Sequence, residues 1–142
     1  MKFHLFNILS FICISHAIDI SYTIPSQVAV QSLISIANVK KFLPKDEKIQ
    51  DIKTKPNKVF ISSIHNFYGY TFHNKYQISF NMIHKQLQIN MKNKYINNKI
   101  LFFRKNPEML QINVHSLTKL PIPSFLHEKI VNQKMKHILE QL

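Results

Sequence analysis

The chain has 142 residues, and 19 lysines and arginines against 7 acids give it a formal charge of +12. That length suits one domain with a real core. One cysteine, one glycine and no tryptophan exclude a disulfide framework, a cysteine zinc site, a G-x-S-x-G nucleophile elbow and a glycine-rich phosphate loop.

Residues 1–17 read as a secretory signal peptide. Met1-Lys2 supplies a positive start, Leu5 to Ile14 is apolar apart from Asn7 and Ser10, and Ser15 and Ala17 are small residues at positions −3 and −1 of a cut. The apolar run is short for a bilayer span; an uncleaved anchor is the alternative. Cys13 follows Ile12, not the small residue that lipidation needs, and it leaves with the leader. A secreted or periplasmic domain over 18–142 is expected.

The positive charge favours anionic partners. Arg104 is the single arginine and the lysines are scattered, which disfavours nucleic acid, whose readers use arginine forks. The abundance of Ile, Asn and Lys also matches A/T-rich codons. Lys40, Lys41, Lys45 and Lys48 form the one local cluster. They are candidates for contact with an anionic membrane, against an ordinary solvated loop.

Along the chain, Asp19 to Ile24 predicts a short strand. Pro25 suits the first turn of a helix, and Val30, Leu33, Ile34 and Ala37 make one helical stripe ending at Leu43-Pro44. Six strand-like runs follow, starting at Lys48. Pro56-Asn57, Tyr68-Gly69, Asn97-Asn98 and Asn106-Pro107 are the turn signals between them, and a positive φ is expected at Gly69. Tyr70, Phe72, Tyr76, Ile78, Phe80 and Met82 share one strand face, interrupted only by Asn74. Lys99 to Lys105 is apolar on both faces in its middle, as if covered twice. After Leu120-Pro121-Ile122-Pro123, Ser124 is a candidate N-cap and Glu128 a complement to the helix dipole. Leu126, Ile130, Val131, Met135, Ile138, Leu139 and Leu142 then make an apolar stripe, with Lys129, Gln133, Lys134 and Lys136 assigned to the opposite side.

The order is strand, helical segment, six strands, helix. It resembles the START-like superfamily, also called the Bet v 1-like or polyketide cyclase/dehydrase group. The residues that carry the resemblance are the opening Ile18 to Pro44, with I-P-S-Q-V and K-F-L-P, and the ending L-P-I-P-S-F-L-H-E-K-I-V. It implies an α+β helix-grip fold, β-α-α-β6-α, in which a curved antiparallel sheet surrounds the C-terminal helix. It also implies a cavity between sheet and helix for lipids, quinones or similar molecules; a minority of members are enzymes. Tubular lipid-binding domains are the rival fold, but they place their long helix within or before the sheet.

Candidate cavity-lining residues are Tyr70, Phe72, Asn74, Tyr76, Ile78, Phe80, Ile89, Phe102, Ile112, Ile130 and Met135. A filled core would use the same stripe. Asn74 is a lone amide on an apolar face, costly if buried without a partner; a ligand headgroup or, slightly favoured, a β-bulge would explain it. The histidines show no metal-binding spacing and read as solvated. No pair of acids is placed for proton transfer, so no catalytic residue, metal or cofactor is expected. The leading expectation is a monomeric, non-enzymatic binder of a hydrophobic small molecule or lipid. The alternatives are a filled-core interaction or structural protein of the same fold, a cyclase-like enzyme, and a basic adhesin or effector.

Overall fold

A computed structural model describes residues 16–67 and 69–142. Seven antiparallel strands form one sheet: β1 (His16–Pro25), β2 (Lys48–Lys55), β3 (Lys58–Phe67), β4 (Tyr70–Asn81), β5 (Gln86–Lys92), β6 (Ile96–Asn106) and β7 (Met109–Thr118). Their order across the sheet is β1-β7-β6-β5-β4-β3-β2. A 3-10 turn (Val30–Ile34) and helix α1 (Ile36–Phe42) lead from β1 to β2, and helix α2 (Ser124–Glu140) ends the fold. This is the expected helix-grip architecture, with the long helix after the sheet.

Short polar side chains build the meander's turns. Asn81 Oδ1 accepts from the amides of Ile83 and His84. Asn93 does the same for Tyr95 and Ile96, and Asn106 for Glu108 and Met109. A side-chain carbonyl two residues before an amide closes such a turn locally. Pro56 and Asn57 turn β2 into β3, with Asn57 at φ 57°, a region asparagine tolerates. Gly69 has φ 80°, as its isolation in the sequence predicts.

Several local expectations are corrected. Pro25 ends β1, paired with Met109, and does not open a helix. Asn97 and Asn98 lie in β6, paired with Leu117 and Ser116; the turn falls earlier, at Asn93. Pro123 occupies the N-cap of α2 and no side chain caps it, so Ser124 is the first helical residue. Glu128 lies beyond the first turn, which holds no acid. Leu101 and Phe103, the outward residues of the doubly apolar run, are only half-buried. The leader's cut after Ala17 falls inside β1, where His16 and Ala17 pair with Thr118 and Leu117; residues 1–15 of the expected leader lie outside the described residues.

The inner face of the sheet is legible as a grid, because every strand alternates and every register is known. One row across the sheet runs Val59, Ile78, Ile89, Ile100, Val114, Ile20. The next row runs Phe80, Leu87, Phe102, Ile112, Tyr22. The 3-10 turn, α1 and α2 cover these rows with Val30, Leu33, Val39, Phe42, Val131, Met135 and Ile138. Phe42 stacks on Phe102 at 6.3 Å between ring centroids, within the range where aromatic pairs attract. Leu87, Phe102, Leu110 and Ile112 are 0% exposed, so the centre of these rows is filled.

Candidate functional site

Two further rows change character. One runs Ile61, Tyr76, Met91, Asn98, Ser116, Ile18. Beyond it come Ser63 and Asn74 on one side and Ile96, Thr118 and His16 on the other. The inner face is therefore apolar at one end and polar at the other, and the polar end carries the titratable groups.

Glu47 is the centre of the first polar cluster. It sits just before β2 and is 9% exposed. Its Oε1 accepts from Asn74 Nδ2 at 2.6 Å, from the Tyr76 hydroxyl at 2.8 Å and from the Ser63 hydroxyl. The Tyr76 hydroxyl also approaches Oε2 at 2.9 Å. Asn74 in turn accepts from Asn93 Nδ2 at 2.9 Å, which ties the cluster to the β5–β6 turn. A buried carboxylate needs such donors. Burial, then the Glu47 charge, raises the Tyr76 pKa, so its hydroxyl keeps its proton and donates. Asn74 is thus neither a bulge nor alone: β3 and β4 pair without a shift through Ser63 and Asn74. The sheet's irregularities lie elsewhere, at Ile49/Asp51 and Arg104/Asn106.

Lys134 of α2 is near enough to feel the Glu47 charge. Burial lowers the pKa of its ammonium, and the Glu47 charge opposes that shift. By surface area Lys134 is nevertheless an exposed residue, so water reaches its ammonium. The spacing Val131, Lys134, Ile138 places it on the inward arc, while the outer groove of α2 is lined by Phe125, Glu128, Lys129, Asn132, Gln133 and Lys136.

The second polar cluster is a chain of hydrogen bonds. His16 Nε2 lies 2.9 Å from the carbonyl of Ile122, and His16 Nδ1 lies 3.2 Å from His127 Nδ1. His127 Nε2 lies 2.8 Å from Ser116 Oγ, which also meets the Asn98 amide. A carbonyl only accepts, so His16 Nε2 donates to Ile122. Ser116 Oγ donates its single proton to Asn98 Oδ1, so in its contact with His127 Nε2 it accepts. Burial lowers the His127 pKa, helped by His16 and Lys134, which agrees with a neutral ring. His127 is 3% exposed, against the expectation of solvated histidines.

The sequence-predicted lining residues separate accordingly. Ile78, Phe80, Ile89, Phe102, Ile112 and Met135 are buried in the apolar core. Asn74 and Tyr76 belong to the Glu47 cluster, and Phe72, half-buried, packs edge-on to Tyr95 at 5.8 Å. Ile130 is half-buried on α2, and Tyr70 is 66% exposed where β4 begins. Lys40, Lys41, Lys45 and Lys48 are all exposed around the α1–β2 connection. Glu47, Lys134, Ser63, His127 and Ser116 were missed; only the i+3 and i+4 spacing in α2 could have found Lys134 and His127.

At the apolar end a hollow of about 670 Å³ opens between the 3-10 turn and the β4–β5 turn. Val30 and Phe80 form part of its wall and also belong to the core. Arg104 borders it and donates from Nη1 to the Ser26 carbonyl at 2.5 Å and from Nη2 to the Val28 carbonyl. The single arginine therefore clamps the segment between β1 and the 3-10 turn.

No family model matches the sequence, and no curated protein matches it significantly. Solved structures do match over most of both chains. The Zhui aromatase/cyclase from Streptomyces sp. R1128 aligns with a TM-score of 0.58 at 9% identity, over 90% of this chain and 91% of that one. Ara h 8.0201 gives 0.55 at 15% identity, over 89% and 94%. A START superfamily protein from Mycobacterium smegmatis gives 0.52 at 12%, over 89% and 93%. With the seven-stranded curved sheet and C-terminal helix they share, the chain has the helix-grip fold of the START-like, Bet v 1-like superfamily.

Proposed function

We propose that this protein binds a hydrophobic ligand with one polar end, between the sheet and α2, and does not transform it. The observation that carries this reading is the division of one continuous inner face into an apolar end and a polar end. A single apolar core has no use for a buried carboxylate and its set of donors at one end of it, since the carboxylate loses hydration there. An amphiphilic ligand would use both ends. From Phe80 at the hollow to Asn74 at the polar cluster is six residues of β4, roughly 20 Å, the scale of a long acyl or prenyl chain. The ligand enters beside Val30 and Phe80 and parts Phe42 from Phe102. Export behind the leader 1–17, whose removal would take His16 out of the second cluster, gives it a secreted or periplasmic place of action, and the exposed Lys40, Lys41, Lys45 and Lys48 dock the protein on an anionic membrane to load. Full burial of Leu87, Phe102, Leu110 and Ile112 favours a second reading, a filled-core interaction protein.

Native mass spectrometry of the protein purified from its own compartment, with organic extraction, separates the two. A co-purifying or loadable amphiphile supports the carrier. A clean mass that stays clean after incubation with lipid extract moves the assignment to the filled core. The N-terminus in the same spectrum tests export, because an intact Met1 contradicts processing.

A further inference from the structure

The hollow beside the 3-10 turn has fixed lips and a lining of one charge sign. Arg104 fixes one lip: Nη1 donates to the Ser26 carbonyl at 2.5 Å and reaches the Pro107 carbonyl at 3.4 Å, and Nη2 donates to the Val28 carbonyl. Asn81 fixes the other by accepting from the amides of Ile83 and His84. Gln31 Nε2 meets Met82 Sδ at 3.9 Å between the two. Val30, Phe80, Met82 and Phe103 give the lining its apolar part, Arg104, Lys85 and His84 its basic part, and no acid lines it. The acceptors of Arg104 are all neutral carbonyls, and among the described residues no carboxylate pairs with it within 4.0 Å. Carbonyls satisfy its donors but leave its unit charge uncancelled.

We propose that this hollow is a binding site of its own, for an anion with an apolar body: a medium-chain or aromatic carboxylate. The site goes beyond the proposed function. The hollow is open as it stands, so it needs neither an occupied interior nor the parting of Phe42 from Phe102. The charge of the lining selects the sign, because a carboxylate meets Arg104 and Lys85 while a cation meets like charge. The wall selects the body. Met82 is 58% exposed and Phe103 half-buried, so apolar surface remains there for a chain or ring to cover. A bare inorganic anion would leave that surface wet, and a neutral alcohol would leave the Arg104 charge uncompensated.

The test titrates octanoate, octanol and octylammonium, each below its micelle concentration, into isotope-labelled protein and follows the backbone amide shifts. Octanoate should move the amides of Val30, Gln31, His84 and Lys85 to saturation and bind about tenfold more tightly than octanol; octylammonium should leave them in place. Lys85→Gln should weaken octanoate about threefold, the scale of one exposed charge, and Lys85→Glu, twice that change in charge, about tenfold. Octanol affinity should not change in either variant. Lys85 sits on an exposed turn, so both variants fold. Equal affinity for octanoate and octanol, or an octanoate affinity that Lys85→Glu leaves unchanged, overturns the proposal. Shifts centred on Phe42, Phe102 and Leu110 also overturn it, because they put octanoate in the interior instead. If no probe moves the amides of the hollow, this site fails, while the interior ligand, read separately by native mass spectrometry, is untouched.

Discussion

The two ends of the inner face differ in how they are held. At the apolar end, contacts are many and interchangeable: rows of Ile, Val, Leu and Phe meet Val30, Phe42, Val131 and Met135. At the polar end Glu47, Ser63, Asn74 and Tyr76, and likewise His16, His127, Ser116 and Asn98, have named partners, and losing one strands the others. Burial of apolar area is non-directional, whereas an unpaired buried donor or charge carries its full desolvation cost. The apolar end therefore sets how stable the domain is, and the polar end sets where α2 and the residue before β2 must sit.

Phe102→Ala should be the largest single effect. It removes a fully buried ring beneath Phe42 and should cost about 3–5 kcal/mol by urea unfolding. A loss below that of any polar-end change would reverse the comparison. Glu47→Ala comes next, at about 2–4 kcal/mol, because Ser63, Asn74 and Tyr76 lose their acceptor and Lys134 its counter-charge. Repeating it in a Lys134→Met background should reduce the cost. Additive effects in that cycle would show that the two charges are not coupled.

Arg104→Lys keeps the charge but loses the fork that holds the Ser26 and Val28 carbonyls, and should cost about 1–2 kcal/mol. Faster proteolysis near Pro25 to Ala29 would locate the damage. Removing His16 and Ala17, so that the chain starts at Ile18, should cost about 1 kcal/mol, read as a lower melting temperature than a chain starting at His16. Equal melting temperatures would mean that the start of β1 contributes nothing.

The smallest effect is on pH. The folded pKa of His127 lies below its ordinary value of 6.5, so the unfolded chain binds the proton more readily. Stability from this group is complete above about pH 6.5 and is lost as pH falls below it. His127→Gln should flatten that part of a stability–pH profile; an unchanged slope would remove His127 as its source.

Much of this was legible beforehand. Period-two alternation from Tyr70 to Met82 is local steric geometry, and it specified β4 and its inner face from Phe72 to Phe80, while Tyr70 and Met82 at its ends are exposed. The absence of Gly and Cys motifs excluded whole classes of chemistry. Asn97-Asn98 misled because an Asn pair is a turn signal only where the backbone turns; here Asn98 faces inward against Ser116. Glu47 gave no signal at all, being one acid in a run of Lys45-Asp46-Glu47-Lys48.

By itself the sequence determined the order of elements, the faces of the strands and the apolar stripe of α2, because these follow from side-chain geometry within a few residues. Only the tertiary structure decided that Glu47, Ser63, Asn74 and Tyr76 meet, and that His16 reaches His127. Those contacts span up to 111 residues of chain, and strand register and helix placement, rather than any local preference, bring them together.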